Sequence, residues 1–459
     1  MKFFLLVVSA FLLSSFTFGQ IILSPSWSTI QNSNFPILTA GVRYFDAVDT
    51  NVVWAIGYDG AAAKRNYNFF TTTKNGGASF TAGTIFADTN SYVISNIEGI
   101  DSMNAWVAAY KKISSDRGVI YHTTNAGVSW ADGGTVSMFS TAGESFADFV
   151  TFVTPTKGIA VGDPRLGEFE IYRTNNGGVS WTAISGSVIP DPLPAIGALH
   201  REYGLTDSYA KFGANDIWFG TNRGRVYHSN TGGLTWNVGV TGASDDIIYL
   251  AFRDALNGLV YGYTGATLVC YSTTNGGITW TALPFDPNMG ASDICAIPGT
   301  TWYASVGAGL GNTLISYSYD DGLTWNNWGG SGIQYTKLDF VNSSKGWAGS
   351  FSSNVTLGIA GIYKYSGLPL AINSINLMPA EINMYPNPSN GEMIINLLTA
   401  KEGAIINVMD LMGKMVYSEN VKTSTFEKHN LNLQHLAKGI YHVNIIRGTE
   451  KYSQKIAIQ

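Results

Sequence analysis

Thr174-Asn175-Asn176-Gly177-Gly178-Val179-Ser180-Trp181 is the stretch on which the reading of this chain turns. A strand-forming run, Ile171-Tyr172-Arg173, leads into it, and Asn and two Gly can close a hairpin because Asn bonds its own turn and Gly accepts positive φ. Ser-Trp then opens a returning strand whose indole can wedge between neighbouring sheets. The same unit recurs as Thr123-Thr124-Asn125-Ala126-Gly127-Val128-Ser129-Trp130 and as Thr273-Thr274-Asn275-Gly276-Gly277-Ile278-Thr279-Trp280. Ser318-Tyr319-Asp320-Asp321-Gly322-Leu323-Thr324-Trp325 carries a true Asp. Two copies drift: the one around Asn75 ends in Phe80, and the one ending at Trp236 has Thr231 at the Asn position. Asn75, Asn125, Asn176, Thr231, Asn275 and Asp320 are thus the expected structural turn residues. A repeat of this length is the mark of a modular β fold.

A second pattern lies upstream of each box. Trp54-Ala55-Ile56-Gly57, Trp106-Val107-Ala108, Ile159-Ala160-Val161-Gly162, Trp218-Phe219-Gly220, Leu259-Val260-Tyr261-Gly262, Trp302-Tyr303-Ala304 and Trp347-Ala348-Gly349 are seven buried-strand cores against six boxes. The seventh box is missing after Tyr363-Lys364-Tyr365, while Ser26-Trp27-Ser28 near the N-terminus is the end of a box without its beginning. Closing the ring with that segment abolishes an open edge. The expectation is all-β: a seven-bladed β-propeller over residues 20–367, four strands per blade, followed by a small C-terminal β-sandwich. The boxes resemble the Asp-box or BNR repeats of sialidase-like propellers, and the whole repeat, Gly162-Asp163-Pro164 included, is similar to photosystem II assembly factor-like proteins.

Composition agrees. The 459 residues are 45% hydrophobic and only 13% charged, with 52 Gly, which excludes a disordered chain and long surface helices. A net charge of −5 implies no nucleic-acid partner. Two Cys, Cys270 and Cys295, make neither a disulfide scaffold nor a thiolate zinc site, and no cofactor or metal is expected. At the N-terminus, Lys2 followed by an apolar run to Leu13 and small residues to Gly19 reads as a signal peptide over residues 1–19. No later run is long enough to span a bilayer.

Charge density rises after a linker at residues 368–380, with 15 charged residues among the last 79. Alternating strands are expected at Met393–Leu397, Ala404–Asp410, Met415–Tyr417 and Lys438–Ile445. The Tyr385-Pro386-Asn387-Pro388…Gly391 opening, Asp410-Leu411-Met412-Gly413-Lys414, Leu436-Ala437-Lys438-Gly439-Ile440-Tyr441 and Lys455-Ile456-Ala457-Ile458 resemble the type A sorting domain of type IX secretion cargo. The resemblance covers residues 381–459. It implies a Bacteroidetes-type bacterium, type IX machinery as a partner, and passage through the periplasm to the outer surface or medium.

Catalytic signatures are sparse. The Arg-Ile-Pro motif of sialidases is absent; Arg43, Tyr44 and Asp46 stand nearest to it. Asp245-Asp246 reads as a turn as readily as an acid/base pair. More suggestive is the loop between second and third strands, where 8 of the 18 basic residues in 20–380 fall, all in blades one to four. Arg65, Arg117, Asp163, Arg165, Arg223 and Arg225 are the candidate ligand contacts, suited to an anionic glycan or a peptide carboxylate. Solvated loops are the alternative. A Pro-rich insert between Ser185 and Lys211 is the longest interruption. The expected function is a secreted or surface-displayed, monomeric binding propeller; the alternative is a sialidase-like glycoside hydrolase.

Overall fold

The computed structural model describes residues 26–28, 33–36, 40–60, 65–86, 91–112, 117–135, 137–141, 145–195, 200–309, 313–329, 332–352, 360–367, 382–397, 404–410, 415–421, 428–447 and 450–459. The expected signal peptide and the linker at 368–380 lie outside these. The chain divides into two compact units, Met1–Leu370 and Ala371–Gln459.

In the first unit the described strands form seven antiparallel four-stranded sheets, six of them in simple sequential order. Each begins with an inner strand: Ala40–Ala47, Tyr92–Gly99, Ala147–Thr154, Gly204–Phe212, Ile247–Phe252, Asp293–Ala296 and Gln334–Asn342. These sheets are numbered here as blades one to seven of a β-propeller. Blade seven takes its outer strand from the N-terminus, with Ser26 opposite Ser366 and Trp27 opposite Tyr365. Trp27 lies edge-on to Trp328 and Phe340, each at 6.1 Å, and 5.4 Å from Tyr365. Outer strands are short, two residues in Ala131–Asp132 and Thr182–Ala183, which leaves little edge for unwanted pairing.

The box turns follow one bonding scheme. In blade three the Gly178 N–H donates to Thr174 Oγ1 at 2.9 Å and the Ser180 N–H to Asn176 Oδ1 at 3.0 Å. Asn176 Nδ2 donates to Ser180 Oγ at 2.9 Å. Asn75, Asn125 and Asn275 repeat this set. Thr231 supports the turn through its hydroxyl, which accepts the Thr235 N–H at 2.9 Å. In the version with an acid, Asp320 accepts from the Thr324 N–H and hydroxyl at 3.0 and 2.6 Å. Burial pushes this carboxyl up, but the bonds from Thr324 outweigh it and its pKa is lowered. The second box glycine is fixed by more than its φ of +84° at Gly178: a Cβ there would stand 2.3 Å from Trp106 of the preceding blade. The turn therefore packs against the neighbouring blade as well as closing its own hairpin.

Between blades the core is aromatic. Trp54, Trp218 and Trp347, from the strand-core pattern, are fully buried. Trp218 stacks on Phe252 of the next blade at 3.7 Å and donates its indole N–H to Gly276 O at 2.9 Å. Cys270 and Cys295 are free thiols.

The second unit pairs a three-stranded sheet, Ile382–Tyr385, Glu392–Leu397 and Lys428–Asn432, with a four-stranded one. The latter is built from Met415–Val421, Ala404–Met409, Gly439–Arg447 and Glu450–Ile458. Ile395, Ile406, Val408, Leu433, Val443, Ile445 and Ile456 form its core. Asn387 of the opening motif donates to Lys455 O and accepts the Ala457 N–H, each at 2.9 Å, tying the entry turn to the last strand.

Two stability outcomes are expected. Trp27→Ala removes the aromatic seam of blade seven and lowers unfolding free energy by about 3 kcal/mol in urea titration, while Val128→Ala, at an exposed box position, changes it by less than about 0.5 kcal/mol. Asn176→Asp is tolerated because Asp320 serves the same turn, whereas Asn176→Ala costs about 1 kcal/mol.

Candidate functional site

The inner strands surround a central channel whose wall is charged. From blades one, two, four, six and seven come Asp46, Glu98, Asp207, Asp293 and Asp339, and with them Arg43, Lys211 and Lys337. Two lysines cross the channel in opposite directions. Lys211 of blade four pairs with Glu98 of blade two, and Asp46 and Asp339 of blades one and seven act on the same ammonium. Lys337 of blade seven pairs with Asp207 of blade four at 2.5 Å and Asp293 of blade six at 3.3 Å.

Several of these carboxylates also accept a backbone N–H from the neighbouring blade. Asp46 takes Gly99 N at 2.7 Å, Glu98 takes Phe152 N at 3.0 Å, Asp293 takes Leu338 N at 3.0 Å and Asp339 takes Ala47 N at 3.0 Å. Asn96 of blade two does the same service twice, donating to Val150 O and accepting its N–H. Burial dominates the acidity: it pushes Asp46 up to about 8 against the pull of Lys211, with Glu98 and Asp339 adding to the rise. Asp293 is pushed up to about 7 by burial despite Lys337.

Cavities open at both ends of this plug. The face carrying the turns between second and third strands is called upper here, and the box-turn face lower. At the upper end a cavity of about 320 Å³ is lined by Arg43, Tyr44, Tyr58, Tyr249 and Phe351, with Thr206, Asp207, Ser292, Thr336 and Lys337 between the rings. Tyr58 meets Phe351 edge-on at 5.2 Å, and the Arg43 guanidinium lies 4.9 Å over the Tyr44 ring. At the lower end a second cavity of about 320 Å³ is bordered by Asp46, Lys211, Asp339 and Arg253.

The residues singled out in the loops are distributed otherwise. Arg225 is buried and pairs with Glu202 at 2.6 Å, and its Nη1 also reaches Asp191 O. Arg223 donates to His200 O at 2.9 Å. Arg225 is thus buried against the Pro-rich insert, while Arg223 reaches the same insert through Nη1 and stays half-exposed. The insert's carbonyls and one buried carboxylate require donors, and these arginines supply them. Asp163 and Arg165 lie in blade three, where Asp163 faces Asp148. Arg117 borders Tyr121 in blade two, and the Arg65 side chain lies outside the described residues. No contact among the described residues gathers these into one basic sector. Asp245 accepts the Gly265 N–H at 2.5 Å, as a turn residue does.

The channel charges were legible in part. Asp46, Glu98 and Asp339 each stand eight residues ahead of a strand-core tryptophan, Trp54, Trp106 and Trp347, and directly opposite it in register. The two lysines that answer them carry no comparable spacing.

A hydrolase would need a tyrosine nucleophile activated by a carboxylate and an arginine clamp. Tyr209 does donate to Glu98 at 3.0 Å. Burial, then Glu98, Asp207 and Asp46, push its phenol well up, which works against forming the phenolate. The arginines lining the described cavities are Arg43 at the upper end and Arg253 at the lower, and Arg253 is held by Asp321 and Asp254. Among the described residues no cluster of His, Cys, Asp and Glu could hold a metal ion, and no helix is long and apolar enough to cross a membrane.

Comparison with known proteins matches residues 383–459 to the secretion system C-terminal sorting domain. Comparison with curated proteins finds no match. Solved structures similar to the chain include YCF48 bound to D1 peptide, with 16% identity, 74% of this chain and 95% of that one covered, and a TM-score of 0.48. YCF48 from Cyanidioschyzon merolae has 18% identity, 74% and 98% coverage and a TM-score of 0.46. PorZ, an essential bacterial surface component of the type IX secretion system of Porphyromonas gingivalis, has 13% identity, 91% and 70% coverage and a TM-score of 0.30. The propeller is established by its own sheets. Together with the matched tail it makes this a β-propeller protein exported by type IX secretion to the cell surface or beyond.

The plug yields two expectations. Lys337→Met leaves Asp207 and Asp293 buried without their cation, and chemical denaturation should show a loss of about 3–5 kcal/mol. Because the folded-state pKa of Asp293 is raised, its contribution is complete below the unfolded value of about 4 and is lost as pH rises through about 7. Asp293→Asn should therefore flatten the decline of melting temperature across that window.

Proposed function

We propose that this chain is an extracellular binding protein whose propeller holds a glycan bearing an acidic group at the upper mouth of the channel. The observation that carries this reading is the upper cavity: Tyr44, Tyr58 and Phe351 supply ring faces for a sugar, Thr206 and Ser292 supply hydroxyls, and Arg43 supplies a guanidinium suited to a carboxylate. A plugged channel favours binding from one side over passage through the ring, since Lys211 and Lys337 are committed to their own carboxylates. The sorting tail supports placement where glycans are encountered.

The test is a glycan array spanning neutral and acidic structures, read with the full chain and followed by calorimetry. Acidic glycans should bind, and Tyr58→Ala should weaken binding by about tenfold with an unchanged melting temperature. Absence of any glycan signal, or binding that survives Tyr58→Ala and Arg43→Gln unaltered, overturns the reading. Retention of a protein in place of a glycan would turn the same mouth into a peptide site.

A further inference from the structure

Five of the buried polar atoms that lack a hydrogen-bond partner fall in blade three: Asp148 Oδ2, Asp163 Oδ1, Arg165 Nε, Glu168 Oε2 and Glu170 Oε2. Two of them belong to a facing pair. Asp148, on the inner strand Ala147–Thr154, is 4% exposed, and Asp163 stands on the adjoining strand Lys157–Arg165. Both converge on Gly204, the first residue of blade four's inner strand. The Gly204 N–H donates to Asp163, and a Cβ on Gly204 would stand 2.3 Å from Asp148 Oδ2. A side chain at this place would have to displace the Asp148 carboxyl.

Gly204 is the near end of a segment that reaches the cavity. Before it, Glu202 is fixed by Arg225 and by the Thr221 hydroxyl, and Tyr203 N–H donates to Asn222 at 2.8 Å. After it, ladder pairing with the neighbouring strand lapses until Tyr209. Within that gap Asp207 adopts a left-handed φ of +58°, and Thr206 and Asp207 line the upper cavity. Past Gly204 the next fixed points are Asp207, held by Lys337, and the Ser208 hydroxyl, which donates to Ile247 O at 2.6 Å, so the seating of the intervening stretch depends on how Gly204 is held.

We propose that Asp148 and Asp163 share one proton and, through Gly204, make the seating of residues 202–207 at the cavity mouth depend on pH. The consequence for ligand binding rests on the upper cavity being the binding site; the seating itself does not. The groups facing the pair are Arg201 from the insert, Glu170 from the third strand of the same blade and Tyr203, which in turn faces Asp246 at the start of blade five. One proton leaves a single negative charge beside Arg201, which is tolerable. Removing it sets two buried carboxylates against each other with Glu170 close by. Relief requires water, and water can enter by displacing Gly204. Burial and then the partner carboxyl push Asp148 up, and burial pushes Asp163 up to about 7 against Arg201 and Gly204. The sign follows: raised folded-state values favour the seated form in mild acid, and the advantage is lost as pH rises through about 7.

Hydrogen–deuterium exchange on the full chain tests this without any glycan, so its failure is separate from failure of the binding reading. After correction for the intrinsic exchange rate, protection of a peptide spanning residues 200–210 should fall about tenfold between about pH 6 and pH 8.5, relative to one spanning Ile247–Phe252. Asp163→Asn and Asp148→Asn should each abolish that difference. A wild-type chain with pH-independent protection overturns the proposal, as does a difference that persists in both variants. Should neither variant fold, the wild type labelled at aspartate Cγ decides by carbon-13 titration with each resonance assigned through its own backbone: a titration above about pH 6 at Asp148 or Asp163 supports the shared proton, and both titrating below about pH 6 overturns it.

Discussion

Everything in the ring depends on how one inner strand is held to the next. Adjacent blades are separate sheets, so no ladder joins them, and their backbones meet where neither has a regular partner. The chain answers with side chains: Asp46, Glu98, Asp293 and Asp339 each reach across to a backbone N–H of the following inner strand. A carboxylate in that position is strongly bonded but badly desolvated. Lys211 and Lys337 then offset the charge from across the channel. Registration between blades, the closed centre and the two end cavities are outcomes of that one arrangement.

What could be read in advance follows from how local each device is. The box turns are written in eight consecutive residues, so Asn176 and Gly178 announce their turn, and the orphan Ser26-Trp27 announces its partner. The strand-core tryptophans show in the same way because a buried strand is a contiguous apolar run. Cross-channel pairing is different. Lys211 and Glu98 are neighbours only because a ring brings blades two and four face to face, and nothing near Lys211 in the chain records this. The burial of Arg225 was hidden for the same reason: a loop arginine reads as exposed until the insert that carries Glu202 is in place.

The low charge content acquires a sharper meaning in this light. A propeller with few charged residues still sets eight of them around its axis, where the five carboxylates and two lysines each have an assigned ammonium, amide or carboxylate and Arg43 lies over the Tyr44 ring. The surface turns are served by neutral Asn, Ser and Thr, which make the same bonds without field or desolvation penalty. A small share of the charge thus orders the centre of the fold, and the aromatic upper cavity is lined by Arg43 together with Lys337 and Asp207.

The seam of blade seven has a mechanical side. Ser26–Trp27 closes a loop of about 340 residues, an entropic debt of about 5 kcal/mol, through two residues of pairing and one indole. The strand it joins, Gly361–Ser366, is also the last propeller strand before the chain runs on toward the sorting module. Tension applied through the tail is delivered first to that strand, in shear along the seam. That strand has two pairs to the seam on one side and six to Lys345–Phe351 on the other, so a load on the tail meets the closing blade, and its shorter ladder, ahead of the six blades closed in sequence.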